Sequence, residues 1–291
     1  MIPLHDENPT QATAWLTIVL IVVNLAVFAL IQPNDQGQDD IVFAYRYATV
    51  PCEVTQGRPL SLGENPSVLG SAGVCGAGDA ASRQPCASSN GNGDCTPFPD
   101  KSIWLSLLAS MFLHGSWLHL GSNMLFLWVF GNNIEDHMGP WRYGLFYIGA
   151  GLLATLAHIA IDPASTVPLL GASGAVAGIM GAYAVWFPEA SVRTLVVALL
   201  VVVVRIRAKW LLALWFVSQF LIDPNQGVAW MAHVGGFVAG VIVGLSVRES
   251  RRIRSVVWRH DYADDRSGLW DNRIGGRGDL PLPPYQPPDF S

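Results

Sequence analysis

Three stretches of this 291-residue chain place polar or nucleophilic side chains inside apolar runs, where such groups are costly enough to imply a function. One is Gly171-Ala-Ser173-Gly174-Ala-Val-Ala177-Gly178-Ile-Met-Gly181, a hydroxyl at the start of a nearly side-chain-free face. Another is Ala232-His233-Val-Gly-Gly236, continued by Gly240 and Gly244, so that small residues recur every four positions and His233 lies three before Gly236 on nearly the same side. Small residues at this spacing let backbones approach closely. If the two segments pack through them, Ser173 and His233 come within hydrogen-bond reach, about 2.6–3.2 Å, which is the geometry of a nucleophile and its base. The third stretch is His114-Gly-Ser-Trp-Leu-His119-Leu-Gly-Ser-Asn123, in which His119 and Asn123 share one helical face. Taken singly, each has a plain structural explanation: interhelical hydrogen bonding, helix packing, or a satisfied buried histidine. Only their combination points to catalysis.

The elements that must position these groups follow from composition. The chain is 51% hydrophobic and 13% charged, against about 25% charged for an ordinary soluble domain. Its apolar residues cluster into runs, which predicts an all-α polytopic membrane protein with six spans: 14–31, 118–134, 141–161, 170–187, 210–222 and 228–247. The first is read as a retained span, since residues 1–13 hold no Lys or Arg for a signal-peptide n-region. The run 195–204 is too short to cross untilted and is bracketed by Arg193, Arg205, Arg207 and Lys209, which places it at the cytoplasmic face. A net charge of -5 leaves no basic excess for nucleic acid.

Lys and Arg concentrate in alternate loops, at Arg142, at Arg193 to Lys209 and at Arg248 to Arg259, so both termini are expected in the cytoplasm. The chain then divides into a cytoplasmic N-terminus (1–13), a first transmembrane helix (14–32), an extracytoplasmic loop (33–103), a core of five further helices (104–250) and a disordered, proline-rich cytoplasmic tail (251–291). The loop carries all four cysteines, Cys52, Cys75, Cys86 and Cys95. In an oxidising compartment an even count predicts two disulfides, with three pairings open. Residues 53–98 are expected to form a disulfide-closed subdomain that tunes substrate access and takes no part in catalysis.

The Gly171-Ala-Ser173-Gly174 segment, Ala232-His233 with glycines three and seven later, and His119-x-x-x-Asn123 together resemble the rhomboid family of intramembrane serine proteases in order and spacing, over roughly residues 14–250. His114 five before His119, Glu135 sixteen after it, and the stretch Arg46-Tyr47 to Pro51 agree as well. Two positions depart from the family pattern. Trp104-Leu105 stands where many members have Trp-Arg, and Ala177 stands where many have an aromatic residue stacked on the catalytic histidine.

The resemblance implies a six-transmembrane-helix rhomboid-like bundle in a prokaryotic plasma membrane, acting on transmembrane protein substrates within the lipid bilayer. It implies peptide-bond hydrolysis by Ser173 with His233 as base, and no cofactor or metal. Since no carboxylate in the spans suits a third member, the pair reads as a dyad with His233 oriented by packing. The Ser173 N–H, Asn123 and His119 are the candidate oxyanion donors, each worth about 3–4 kcal/mol in comparable sites. His114, Gly171 and Gly174 stand as supporting positions, and Gly178, Gly236 and Gly240 as packing positions.

Rival chemistries find less support. Gly76-Ala-Gly78-Asp79 spells the Gly-x-Gly-Asp string of intramembrane aspartyl proteases, but in a polar loop with no second intramembrane Asp. No His-Glu-x-x-His occurs for a metalloprotease. A transporter would show inverted repeats and a mid-membrane acid. A catalytically silent relative that binds and escorts transmembrane clients would keep the spans but need not keep Ser173 or His233.

Overall fold

A computed structural model of the chain describes residues 1–33, 37–65, 73–76, 95–197, 201–221 and 229–247. Cys86, Asp79 with most of the 53–98 insertion, the span-end residues Ile222 and Val228, and the chain from residue 248 onward lie outside these residues.

Helices stand at all six of the expected apolar segments: α1 at Trp15–Leu30, α5 at Trp117–Met138, α6 at Pro140–Ile161, α7 at Ser173–Trp186, α8 at Ala208–Gln219 and α9 at Trp230–Ser246. Among the described residues between α1 and α5 lie three shorter α-helices, α2 (Gln38–Tyr47), α3 (Pro51–Gln56) and α4 (Ile103–Ala109). Pro140–Ile161 is by itself long and apolar enough to cross a bilayer. Ile103–Phe112 and Trp117–Met138 pass the same test as a pair bent by 78°. Large apolar side chains line the outside: Leu145 is 76% exposed and Trp141 88%, a surface suited to lipid and not to water.

Each helix end in such a setting needs partners for its free backbone groups. The N-cap of α1, Ala14, has no side chain to offer. The buried Glu135 of α5 takes its place, accepting from Leu16 N (2.9 Å), Thr17 N (2.7 Å) and Thr17 Oγ1 (2.8 Å), a carboxylate at the positive end of the helix dipole. At the other end of the same region, Ser116 caps α5 by accepting from His119 N at 3.1 Å.

The two small-residue faces meet as expected. A Cβ added at Gly236 or Gly240 would collide with the carbonyl of Gly174 or Gly178, and one added at Gly181 with that of Phe237. α7 and α9 therefore pack backbone to backbone, and any side chain in the seam would force them apart. α6 brings alanines to the same junction: a Cβ at Gly174 would lie 2.6 Å from Ala154 Cβ, and one at Gly235 2.5 Å from Ala157 Cβ. Trp186 Nε1 closes the far end by donating to Gly244 O at 2.9 Å.

The all-α expectation needs one correction. Two strands, β2 (Ser191–Val197) and β3 (Val201–Arg207), pair antiparallel, and β1 (Ile2–Asp6) pairs antiparallel with β2, giving a three-stranded sheet among the described residues. Among the described residues, 195–197 and 201–204 of the run expected at the cytoplasmic face are thus strand. Val192, Val196, Val197, Val201 to Val204 and Ile206 are β-branched and favour extended backbone, and pairing gives the backbone groups of the two strands partners in each other. β1 is fastened by buried Asp6, which accepts from Tyr183 Oη and Asn133 Nδ2, each at 2.6 Å. Burial lifts the Asp6 carboxyl to about 6 despite the Tyr183 and Asn8 donors that oppose the rise.

The loop after α1 has more order than its composition suggests. Tyr45, Val50, Cys52 and Leu60 form a small core with Cys75 and Phe98 against it, and Cys52 is bonded to Cys75. This selects one bridge from the open pairings; Cys95 is disulfide-bonded too. A buried Glu53–Lys101 pair (2.5 Å) and an Arg58–Glu64 pair (2.7 Å) complete it. The loop is tied to the segment ahead of α7, where Leu169 N donates to Thr49 O (2.7 Å) and Cys52 N to Ser165 O (2.9 Å).

Candidate active site

Ser173 is the first residue of α7, and the turn before it is pinned from several sides. Gly171 has φ +124°, a conformation open to glycine, and its N–H donates to Ser110 O at 2.8 Å. The missing side chain also makes room, because a Cβ there would lie 2.8 Å from His119 Nε2. Ala172 N donates to Nε2 of the buried His114 at 3.4 Å, a long contact. At the head of a helix, the Ser173 N–H is one of the donors that the helix itself leaves unpaired.

Ser173, His233, His119 and Asn123 all line one cleft of about 620 Å³, together with His158 and Asp162 at the end of α6. Sequence reasoning picked out the first four and missed the last two. Among the described residues no hydrogen bond joins Ser173 to His233; contacts of this kind are commonly looser before substrate is in place. Asn123 is buried, and its Nδ2 has no hydrogen-bond partner among the described residues. A buried amide group left unpaired costs stability. His119 Nδ1 lies 3.4 Å from Gly115 N, another long contact, and its Nε2 is the nitrogen nearest Gly171.

His233 is held from α8. Its Nδ1 lies 2.8 Å from Gln219 Oε1, and its ring centroid is 6.0 Å from that of Trp215. Gln219 went unnoticed in the sequence, although a polar residue within the apolar run 210–222 was the signal to look for. Of the supporting positions, His114 braces the turn before Ser173, Gly171 admits His119, and Gly174 lies at the top of the seam. Gly178, Gly236 and Gly240 belong to the seam.

A bundle of apolar helices with lipid-suited flanks, enclosing a cleft lined by serine, histidines and an amide, is the layout of a helical polytopic membrane protein. The Rhomboid domain family matches residues 101–250, about half of the chain, and the protein belongs to that family of helical integral membrane proteins. Among relatives, Rhomboid-type serine protease 2 of Emericella nidulans is 29% identical over 168 residues, covering 55% of this chain and 30% of the relative. Rhomboid protein 1, mitochondrial, of Saccharomyces cerevisiae is 32% identical over 149 residues, 48% of this chain and 41% of its own. Rhomboid protease GluP of Bacillus subtilis is 38% identical over 79 residues, 27% of this chain and 15% of its own. The chain thus spans less than half the length of these relatives. The family is membrane-integral, but its relatives include a mitochondrial protein as well as one from Bacillus subtilis, so the prokaryotic plasma membrane expected from sequence finds no support here.

Proposed function

We propose that the protein is an intramembrane serine endopeptidase that cleaves transmembrane-helix substrates near the outer membrane face. The observation that carries this reading is the single cleft that gathers Ser173, His233, His119 and Asn123, whose Nδ2 has no partner among the described residues. His233 Nε2 takes the Ser173 proton as Oγ attacks the scissile carbonyl carbon, and the carbonyl π electrons move onto oxygen. Asn123 Nδ2, His119 Nε2 and the Ser173 N–H are the donors available to that oxyanion. On collapse the peptide C–N bond breaks, the amine leaves with the proton from His233, and water hydrolyses the acyl-serine by the same steps in reverse order. The six helices serve as spans in this reading, with the cysteine loop outside and both termini inside, and the polar cleft supplies water at a depth where lipid excludes it. The substrate helix must unwind locally to expose its peptide bond, so cleavage falls near helix breakers.

The test uses the full chain in detergent or proteoliposomes with a serine-directed fluorophosphonate probe and a model transmembrane substrate. Labelling at Ser173 is expected, as is a loss of cleavage of about 10⁴-fold or more in Ser173→Ala and in His233→Ala, the double variant being no worse than either single one. Undiminished cleavage by a folded Ser173→Ala variant would overturn the reading, and a folded wild-type protein that neither labels nor cleaves would favour a silent, client-escorting member.

A further inference from the structure

The amide of Gln219 is a buried polar group that the dyad reading leaves without a task. It is 4% exposed and sits at the last position of α8. Its Nε2 donates to Trp215 O at 3.0 Å and to Ser218 Oγ at 3.3 Å. Ser218 Oγ itself donates to Trp215 O at 2.6 Å, so its proton is already committed and it accepts from Gln219. A carbonyl can only accept. These two partners therefore fix which end of the amide is nitrogen: flipping it would set Gln219 Oε1 against Trp215 O, acceptor against acceptor. The oxygen of Gln219 must then face His233 Nδ1, as it does at 2.8 Å.

We infer that Gln219 is the positioning residue of the nucleophile's base, an amide acting on His233 where triad enzymes use a carboxylate. An amide oxygen accepts and cannot donate, so Nδ1 of His233 must carry the proton. The lone pair is thereby left on Nε2, the nitrogen that a base facing Ser173 has to use. The same contact restrains rotation of the imidazole and strengthens when the ring becomes imidazolium. Trp215, four residues earlier on the same helix, sets its ring near that of His233, while Ala177 on α7 presents only a methyl group. Both restraints on His233 thus come from α8, and none of this orientation needs a carboxylate.

This inference rests on the Ser173–His233 reading, and its tests are chosen so that the two fail separately. In proteoliposomes with a transmembrane substrate, Gln219→Met keeps the bulk and removes the acceptor. A fall in kcat of about ten- to hundredfold with KM little changed is expected, that being the size of effect found when the partner orienting a functional histidine is lost. Gln219→Glu restores an acceptor of the same length and adds charge; it is expected to recover much of kcat and to move the acid limb of the kcat/KM profile to higher pH, because a carboxylate favours imidazolium. A purely structural role predicts neither the recovery nor the shift. A Gln219→Met variant with wild-type kcat and fluorophosphonate labelling overturns the inference and leaves the dyad standing, whereas cleavage that survives Ser173→Ala or His233→Ala overturns the dyad. Should the Gln219 variants not fold, imidazole ¹⁵N shifts in the wild-type protein, assigned against His233→Gln, read the tautomer directly. A protonated Nδ1 with bare Nε2 supports the inference, and the opposite tautomer overturns it.

Discussion

Where α7 crosses α9, the carbonyls of Gly174 and Gly178 lie directly over Gly236 and Gly240. In the loop between α1 and α4, the joining groups are Glu53 with Lys101, Glu64 with Arg58, and Cys52 with Cys75. Each region uses what its surroundings leave available. Between helices that lipid bathes as readily as any side chain does, burial gives little driving force, and close backbone approach supplies dispersion contacts instead. A short segment rich in Gly, Ser and Asn has too few apolar groups for a core of useful size, and so takes crosslinks and paired charges. The Glu53–Lys101 pair shows the cost: burial pushes the carboxyl up and the ammonium down, and the attraction between the two opposes both shifts.

Breaking the seam should have the largest effect. Gly240→Leu sets a side chain into the Gly178 carbonyl, and the overpacking is expected to cost about 3 kcal/mol or more. It should lower the thermal midpoint in detergent and abolish probe labelling at Ser173; a wild-type midpoint would show that the two helices can separate at little cost. Opening the loop should matter less and elsewhere. The Cys52–Cys75 bridge closes a separation of 23 residues, worth about 3 kcal/mol of local order in the chain-entropy account. Replacing both cysteines by serine should speed limited proteolysis of the loop and leave Ser173 labelling unchanged, and lost labelling would mean that the ties from Thr49 to Leu169 and from Cys52 to Ser165 govern the turn ahead of α7.

The smallest effect concerns pH. Burial opposes ionisation of Glu64, but Arg58, the N–H groups of Ser61 and Gly76, and the Gln56 amide outweigh it and bring the carboxyl down to about 2 from 4.5. A depressed carboxylate contributes order that is complete above its unfolded value and is lost as pH falls through the folded one. Proteolytic protection of the loop by an acid-active protease should therefore survive at pH 4 and fade toward pH 2. Arg58→Met should move that loss to higher pH, and an unmoved profile would deny the pair any part in holding the loop.

Much of this was legible without coordinates, for reasons that differ by residue. The four-residue recurrence of Ala232, Gly236, Gly240 and Gly244 marks one side of α9 as able to accept another backbone, because helical periodicity alone decides which residues share a face. The same periodicity joins His119 to Asn123, and the apolar runs locate the six helices. Other features depend on which elements become neighbours, and local pattern carries no record of that. Glu135 reads as an unexplained acid until α1 arrives with bare N–H groups 118 residues away along the chain. The run 195–204 reads as a short apolar stretch, and its described residues, 195–197 and 201–204, are strand because β1, β2 and β3 offer one another backbone partners. The choice of Cys75 as partner for Cys52, and of Gln219 Oε1 as the group facing His233, are likewise set by tertiary contacts. Composition and spacing say which side chains are polar and which faces are smooth; which polar atom meets which is decided only when the packed helices bring particular donors and acceptors within reach.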